Sequence, residues 1–383
     1  VSTTAPQGFR AAGVAAGLKS SGDPDVALVV NDGPDDAAAA VFTTNRFPAA
    51  PVLWSRQVLA GDRVRAVVLN SGGANACTGP GGFQDTHATA EHVASTLGLG
   101  AGEVAVASTG LIGVRLPMDL LTAGVTDAAG RLSAEGGPDA ARAIMTTDSV
   151  PKTTVQAGTG WTVGGMAKGA GMLAPSLATM LVVLTTDAVV PAEVLEPALR
   201  HATAHSFERV DSDGCLSTND TVLVLANGAS GVSPTAEELG AALDAACLDL
   251  AMQLLADAEG STKDIAITVR GAATVADALT AGRACARNNL LKTALFGNDP
   301  NWGRVLAAIG TTDAAFEADR VDVTINGVTV CRGGAIGDDR DGVDLTGRAI
   351  AIDVDLAAGP EQATIWTNDL SLAYVHENSA YST

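Results

Sequence analysis

The distribution of apolar positions along the chain predicts alternating helices and strands. The clearest helical stretch is TAEELGAALDAACLDLAMQLLADAEG, residues 235 to 260. Leu239, Leu243, Cys247, Leu250 and Leu254 recur every three or four residues and form one buried stripe. Thr235 and Glu238 make a capping box after Pro234, and Gly260 stands where a C-cap glycine belongs. The clearest hairpin is VDVTINGVTVC, residues 321 to 331, in which two alternating runs flank Asn326-Gly327, the pair a type I′ turn prefers. Further strands are expected at 66–70, 103–108, 266–270, 349–356 and 363–367, and Met180 to Leu184 (MLVVL) reads most simply as a buried strand. This alternation predicts a layered α/β or α+β fold. There is no internal repeat or low-complexity linker. A division into residues 1–280 and 281–383 is expected from the pattern.

The chain has 383 residues, enough for one large core or two domains. A hydrophobic content of 47% with 17% charged residues describes a compact globular chain. The net charge of −20 repels phosphate backbones and anionic lipid, which argues against nucleic-acid and membrane partners. No uninterrupted apolar run reaches the roughly 18 residues of a membrane span. The opening VSTTAPQGFRAAG lacks the basic flank and apolar core of a signal peptide. The five cysteines (Cys77, Cys215, Cys247, Cys285, Cys331) are scattered, without any CxxC spacing. Such a set suits reduced thiols in a cytoplasm, and neither a disulfide framework nor a zinc site. His87, His92, His201, His205 and His376 show no metal-ligand spacing, and His201 and His205 are expected on one exposed helix face.

Candidate chemistry starts at KGAGMLAPSLATMLVVLTTDA, residues 168 to 188. GAGMLA matches G-x-G-x-x-A, with Asp187 downstream in the place of a ribose-binding acid. A dinucleotide site needs a strand, a full helix and a second strand. Too few residues, interrupted by Pro175, separate Gly171 from the apolar run, so that reading fails on geometry. Thr179 admits two others. It is an ordinary residue opening a strand, or its hydroxyl attacks the Ala178 carbonyl, the chain breaks, and Thr179 becomes an N-terminal nucleophile. The new α-amine, with a pKa of about 7.7–8, then serves as its own base.

Other segments have the same two-sided character. In VAVASTGLIG, residues 104 to 113, a strand ends at Thr109-Gly110, where turn N–H groups or the hydroxyl can face an oxyanion or merely turn the chain. Glu259 falls in the expected last turn of the long helix, against the helix dipole, as a solvated carboxylate or as a partner for an ammonium. Lys168 is a loop lysine or a cation for a substrate carboxylate. KTALFGNDPNWGR, residues 292 to 304, gathers Asn298, Asp299, Asn301, Trp302 and Arg304 around a proline turn. No G-x-S-x-G elbow supports a Ser-His-Asp triad.

Together these segments resemble the ornithine acetyltransferase family, the self-cleaving glutamate N-acetyltransferases of arginine biosynthesis. The matching stretches, in family order, are FTTNRFPAAPV, NSGGANACTG, STGLIG, AIMTTD, GGMAKGAGMLAPSLATML, AEGSTK, KTALFGNDPNWGR and the terminal NSAYST. They run over essentially the whole chain. One departure is Gly73, where many relatives have Asn; Asn70 and Asn75 remain.

The resemblance implies cleavage between Ala178 and Thr179, with Thr179 as nucleophile and Thr109 and Gly110 as the oxyanion hole. It implies substrate contacts from Thr146, Lys168, Thr179, Glu259, Asn378 and Thr383, and a reaction without cofactor or metal. The implied fold is an α/β/β/α sandwich with a smaller C-terminal α/β domain, its two cleaved chains pairing into a cytoplasmic α2β2 heterotetramer. The implied reaction carries acetyl from N2-acetyl-L-ornithine to L-glutamate through an acetyl-threonine, and leaves acetyl-CoA open as a second donor. An amidase or aminopeptidase on the same scaffold, or a non-catalytic binding protein, is the alternative.

Overall fold

The computed structural model describes residues 2–174 and 180–380. Ala178, Thr179 and Thr383, three of the residues singled out above, lie outside the described residues. The first strands are β1 (Phe9–Val14), β2 (Val26–Asn31), β3 (Ala37–Phe42), β4 (Ala66–Asn70) and β5 (Val104–Ser108). One sheet has the order β1-β2-β4-β5, while β3 joins a second sheet. That sheet takes β6 (Lys152–Ala157), β7 (Thr162–Lys168), β8 (Leu181–Thr186) and β9 (Thr221–Ala226) in the order β3-β9-β8-β7-β6.

Period-two patterning stacks these two sheets. Leu181, Val183, Leu223 and Leu225 pack into one core with Val67, Leu69 and other residues of the first sheet. The alternate residues Val182, Leu184, Val222 and Val224 face the other way and share a core with two helices. α1 (Ala50–Leu59), α2 (Gly79–Leu97), α3 (Met118–Gly130) and α4 (Gly137–Ala143) pack with the first sheet, and α5 (Ala192–Ala204) and α6 (Ala236–Ala256) with the second. The result is the expected helix–sheet–sheet–helix layering. Both sheets are shielded on both faces, so β2, β4, β5, β8 and β9 are buried at every position.

α6 carries the expected stripe, with Leu239, Leu243, Cys247, Leu250 and Leu254 buried. Length and composition alone would let it cross a membrane, although acidic residues interrupt its apolar run. Its apolar side is instead committed to the core it shares with α5 and the second sheet. The Thr235–Glu238 capping box forms. The helix ends earlier than the pattern suggests, with Asp257 as C-cap, so Glu259 and Gly260 lie beyond it. The Glu259 amide turns away to donate to the Ala170 carbonyl at 2.9 Å. Gly260 has φ +61°, and a Cβ there would sit 2.1 Å from the Tyr374 nitrogen. Glycine is required by close approach of the chain there rather than by a helix cap.

The third sheet contains β10 (Asp264–Ala272), β11 (Asp322–Ile325), β12 (Val328–Arg332), β13 (Ala335–Ile336), β14 (Ala349–Asp355) and β15 (Glu361–Asn368). Its order is β13-β12-β11-β14-β10-β15. β11 and β12 are the expected hairpin, with positive φ at Asn326 (44°) and Gly327 (85°) as a type I′ turn demands. α7 (Val275–Ala286), α8 (Asn289–Phe296) and α9 (Trp302–Ile309) build its core. α10 (Leu372–Ala380) follows, bringing Tyr374 and Asn378 back toward Glu259.

Candidate active site

The site forms where strand ends of both stacked sheets meet the start of α10. β5 ends at Ser108, and the chain turns through Thr109 and Gly110, the latter at φ +125°. The turn is pinned on several sides. The Thr109 amide donates to the Asn70 carbonyl at 2.9 Å, and the Gly73 amide to the Thr109 carbonyl at 3.0 Å. Asn219 Nδ2 donates to the Ser108 carbonyl at 2.7 Å and to the Ala74 carbonyl at 2.6 Å. A Cβ on Gly110 would lie 2.8 Å from the Gly73 nitrogen, so residue 110 must be glycine both for its backbone angle and for this contact. The Gly110 amide meets no described acceptor.

β7 ends at Lys168, paired with Leu181 of its antiparallel neighbour β8. This antiparallel pairing excludes the parallel crossover a dinucleotide fingerprint needs, in agreement with the sequence argument. Lys168 is 2% exposed, and its Nζ donates to the Thr109 hydroxyl at 3.2 Å. Burial pushes the Lys168 ammonium below the usual lysine range. Asp148, Asp220 and Glu259 act against that shift and Lys152 adds to it.

Glu259 closes another side. Its carboxylate accepts from Asn378 Nδ2 at 2.9 Å. Gly171 lies directly beneath it, where a Cβ would be 2.5 Å from Oε2. Thr146 is held by its amide, which donates to Asp148 Oδ2 at 2.9 Å.

These groups line one cavity of about 190 Å³. Thr109, Gly110, Thr146, Lys168, Glu259 and Asn378, drawn from five separate stretches of sequence, all border it. The DPNWGR turn does not line it: Asn301 caps α9 instead, and Asp299 accepts from Asn301 Nδ2 at 2.9 Å. His201, in the last turn of α5, and His205, its C-cap, lie side by side and exposed, with ring centroids 4.2 Å apart. No group of His, Cys, Asp or Glu among the described residues has the arrangement of a metal site.

Sequence reasoning missed three residues that hold this arrangement. Asn219 joins the two loops beneath Gly110. Asp220, fully buried, accepts from the Met180 amide at 3.2 Å, next to Thr179 in the chain, while its Oδ2 has no hydrogen-bond partner among the described residues. Burial raises the Asp220 carboxyl well above the usual range, against the pull of the Met180 amide and of Lys168. Asp148 gathers the Thr146 amide, the Gly169 amide and the Lys152 ammonium. Asn219 and Asp220 read locally as a turn before β9, and Asp148 as the end of a polar Thr-Thr-Asp; no short-range signal marks them.

A cavity with an unengaged turn amide, a buried ammonium and an opposed carboxylate is suited to acyl transfer on a zwitterionic substrate. Comparison with known proteins agrees. The model of the ArgJ family matches residues 10–383, and the chain belongs to that family. A Streptomyces avermitilis protein, arginine biosynthesis bifunctional protein ArgJ, is 67% identical over 382 residues, covering 100% of both chains. The protein of the same name from Thermobifida fusca is 62% identical over 383 residues, again covering 100% of each. Among solved structures, the ornithine acetyltransferase of Mycobacterium tuberculosis, complexed with ornithine, covers 47% of this chain and 96% of its own. Its identity is 62% and its TM-score 0.45.

Proposed function

We propose that this enzyme, an acyltransferase of arginine biosynthesis, moves an acetyl group from N2-acetyl-L-ornithine to L-glutamate through an ester on Thr179. The observation that carries the reading is the convergence of Thr109, Gly110, Thr146, Lys168, Glu259 and Asn378 on one cavity, beside the strand that begins just after Thr179. The Thr179 hydroxyl first attacks the Ala178 carbonyl, and the peptide nitrogen leaves as the α-amine. Water hydrolyses the resulting ester to give the Ala178 carboxylate and the free hydroxyl. The Thr179 hydroxyl, losing its proton to its own α-amine, then attacks the acetyl carbonyl. The Gly110 amide and the Thr109 hydroxyl, whose oxygen already accepts from Lys168, donate to the oxyanion, a contribution of about 3–4 kcal/mol per donor. The tetrahedral adduct collapses with protonation of the departing ornithine α-amine. Glutamate's amine attacks the acetyl-threonine by the reverse path, and the hydroxyl is restored.

Both substrates carry an α-carboxylate, which suits Lys168, while Glu259 suits the side-chain ammonium of ornithine. Thr146, Asn378 and the terminal Thr383 complete the binding shell. No step calls for a metal or cofactor, and acetyl-CoA stays open as a second donor. We place the enzyme in the cytoplasm as an α2β2 assembly of its two cleaved chains, with the third sheet and its helices, from β10 onward, as the smaller C-terminal α/β part.

Mixing the purified enzyme with acetylornithine tests the reaction class. N-acetylglutamate should form only when glutamate is present, with ornithine released in equal amount. Ornithine released at the same rate without glutamate would make the enzyme a hydrolase. Gly171→Ala gives a second expected outcome. The added methyl displaces the Glu259 carboxylate, the far end of a flexible side chain, so the fold survives. The KM for acetylornithine should rise about tenfold with unchanged Tm, as expected for loss of one charge-assisted contact. An unchanged KM would remove Glu259 from the binding shell.

A further inference from the structure

Asp148 lies behind the cavity, outside its lining, with its side chain fully buried. Its Oδ1 accepts from Lys152 Nζ at 2.7 Å and from the Gly169 amide at 2.6 Å, and its Oδ2 from the Thr146 amide at 2.9 Å. It therefore fixes the residue after Lys168 and the backbone of Thr146 at once. Lys152 is also buried, and Asp257 holds it from the other side at 2.5 Å. Lys168, by contrast, makes no ion pair among the described residues; its Nζ rests on the neutral Thr109 hydroxyl. The charged groups that act on it are Asp148, Asp220 and Glu259, which favour its charge, and Lys152, which opposes it. Lys19 also faces Asp148, with its Nζ fixed on the Met145 carbonyl at 2.6 Å. One buried carboxylate is thus divided between a structural lysine and a lysine in the cavity.

We propose that Asp148 is a positioning residue that keeps Lys168 charged, so that the division of its charge between Lys152 and Lys168 sets the upper pH limit of substrate-carboxylate binding. This rests on the reading of Lys168 as the carboxylate-binding group. Burial alone would push the Asp148 carboxyl up, but Lys168, Lys152 and the hydrogen bonds from Lys152 and Thr146 hold it at about 2. Asp148 is therefore ionised wherever the enzyme works. Lys168 is held below its usual range, so it loses its proton at lower pH than an exposed lysine. Removing Asp148's charge lowers that point further, and removing Lys152's charge raises it.

The test is KM and kcat for acetylornithine from neutral to alkaline pH in full-length, cleaved enzyme. Asp148→Asn should move the alkaline rise in KM to lower pH and raise KM about tenfold at mildly alkaline pH, the effect of losing a charge-assisted bond. Lys152→Met should move the same limb to higher pH. Damage to packing cannot produce opposite shifts, so the pair separates the proposal from a structural role even if one variant is less stable. An unmoved limb in Asp148→Asn, or shifts of the same sign in both variants, overturns the proposal. Lys168→Met isolates the premise. A KM defect there with an unmoved Asp148→Asn limb rejects the proposal alone, whereas an unchanged KM rejects the premise and the proposal together.

Discussion

Thr179→Ala should run as a single uncleaved chain and lose acetyl transfer by at least about 10⁴-fold, the scale on which removing a nucleophile disables acyl transfer. Both losses follow from one atom. The hydroxyl that breaks the Ala178–Thr179 bond is the one that later accepts the acetyl group, and the same break frees the α-amine that serves as base. The substitution removes only the hydroxyl and a methyl group, so folding should be retained. Circular dichroism and Tm will show whether it is. Thr179→Ser retains a hydroxyl on the same carbon and should still cleave, with part of the activity. A Thr179→Ala protein that transfers acetyl at the wild-type rate would remove Thr179 from the chemistry altogether.

Gly110→Ala should lower kcat by about 10²–10³-fold while changing KM little, the signature of a donor that acts on the transition state. Two features of the turn make alanine intolerable. The backbone angle of +125° is one that L-residues rarely adopt, and the new Cβ would meet the Gly73 nitrogen at 2.8 Å. Because that neighbour is backbone, the turn itself must move, and the Gly110 amide moves with it. Asn70, Gly73 and Asn219 anchor the flanking residues, so the displacement stays local. Stopped-flow or burst kinetics will place the loss in the acyl-transfer step. A variant with normal kcat and raised KM would mean that the turn binds substrate without stabilising the oxyanion.

The parts of the fold governed by local rules were readable from the sequence. The α6 stripe and its capping box depend on residues three and four apart, and the β11–β12 hairpin on one Asn-Gly pair, so short-range patterning suffices. The end of α6 was not readable, because Glu259 leaves the helix for a hydrogen bond to Ala170, far away in sequence. Nor was the third sheet's make-up, in which β10 lies between β14 and β15, two strands from the end of the chain. For the site, residue types at turns suggested Thr109, Gly110, Lys168 and Glu259 one at a time, each with an ordinary structural explanation. Only the family resemblance joined them and added Thr146 and Asn378. Asp148, Asn219 and Asp220 were missed because their work is done through partners distant in sequence, such as Asn219 with Ser108 and Asp148 with Gly169. A buried carboxylate that orders two backbone amides has no local signature.

The central claim is that Thr179 carries the acetyl group between substrates, and intact mass under denaturing conditions tests it most directly. Enzyme incubated with acetylornithine and quenched before glutamate is added should give two chains, residues 1–178 and 179–383. The second should be heavier by one acetyl group, which disappears when glutamate is supplied. Two chains with no acetyl adduct at any quench time, while N-acetylglutamate still accumulates, would contradict the covalent route. An acetyl group on the first chain, or full activity in an uncleaved chain, would contradict the assignment of Thr179.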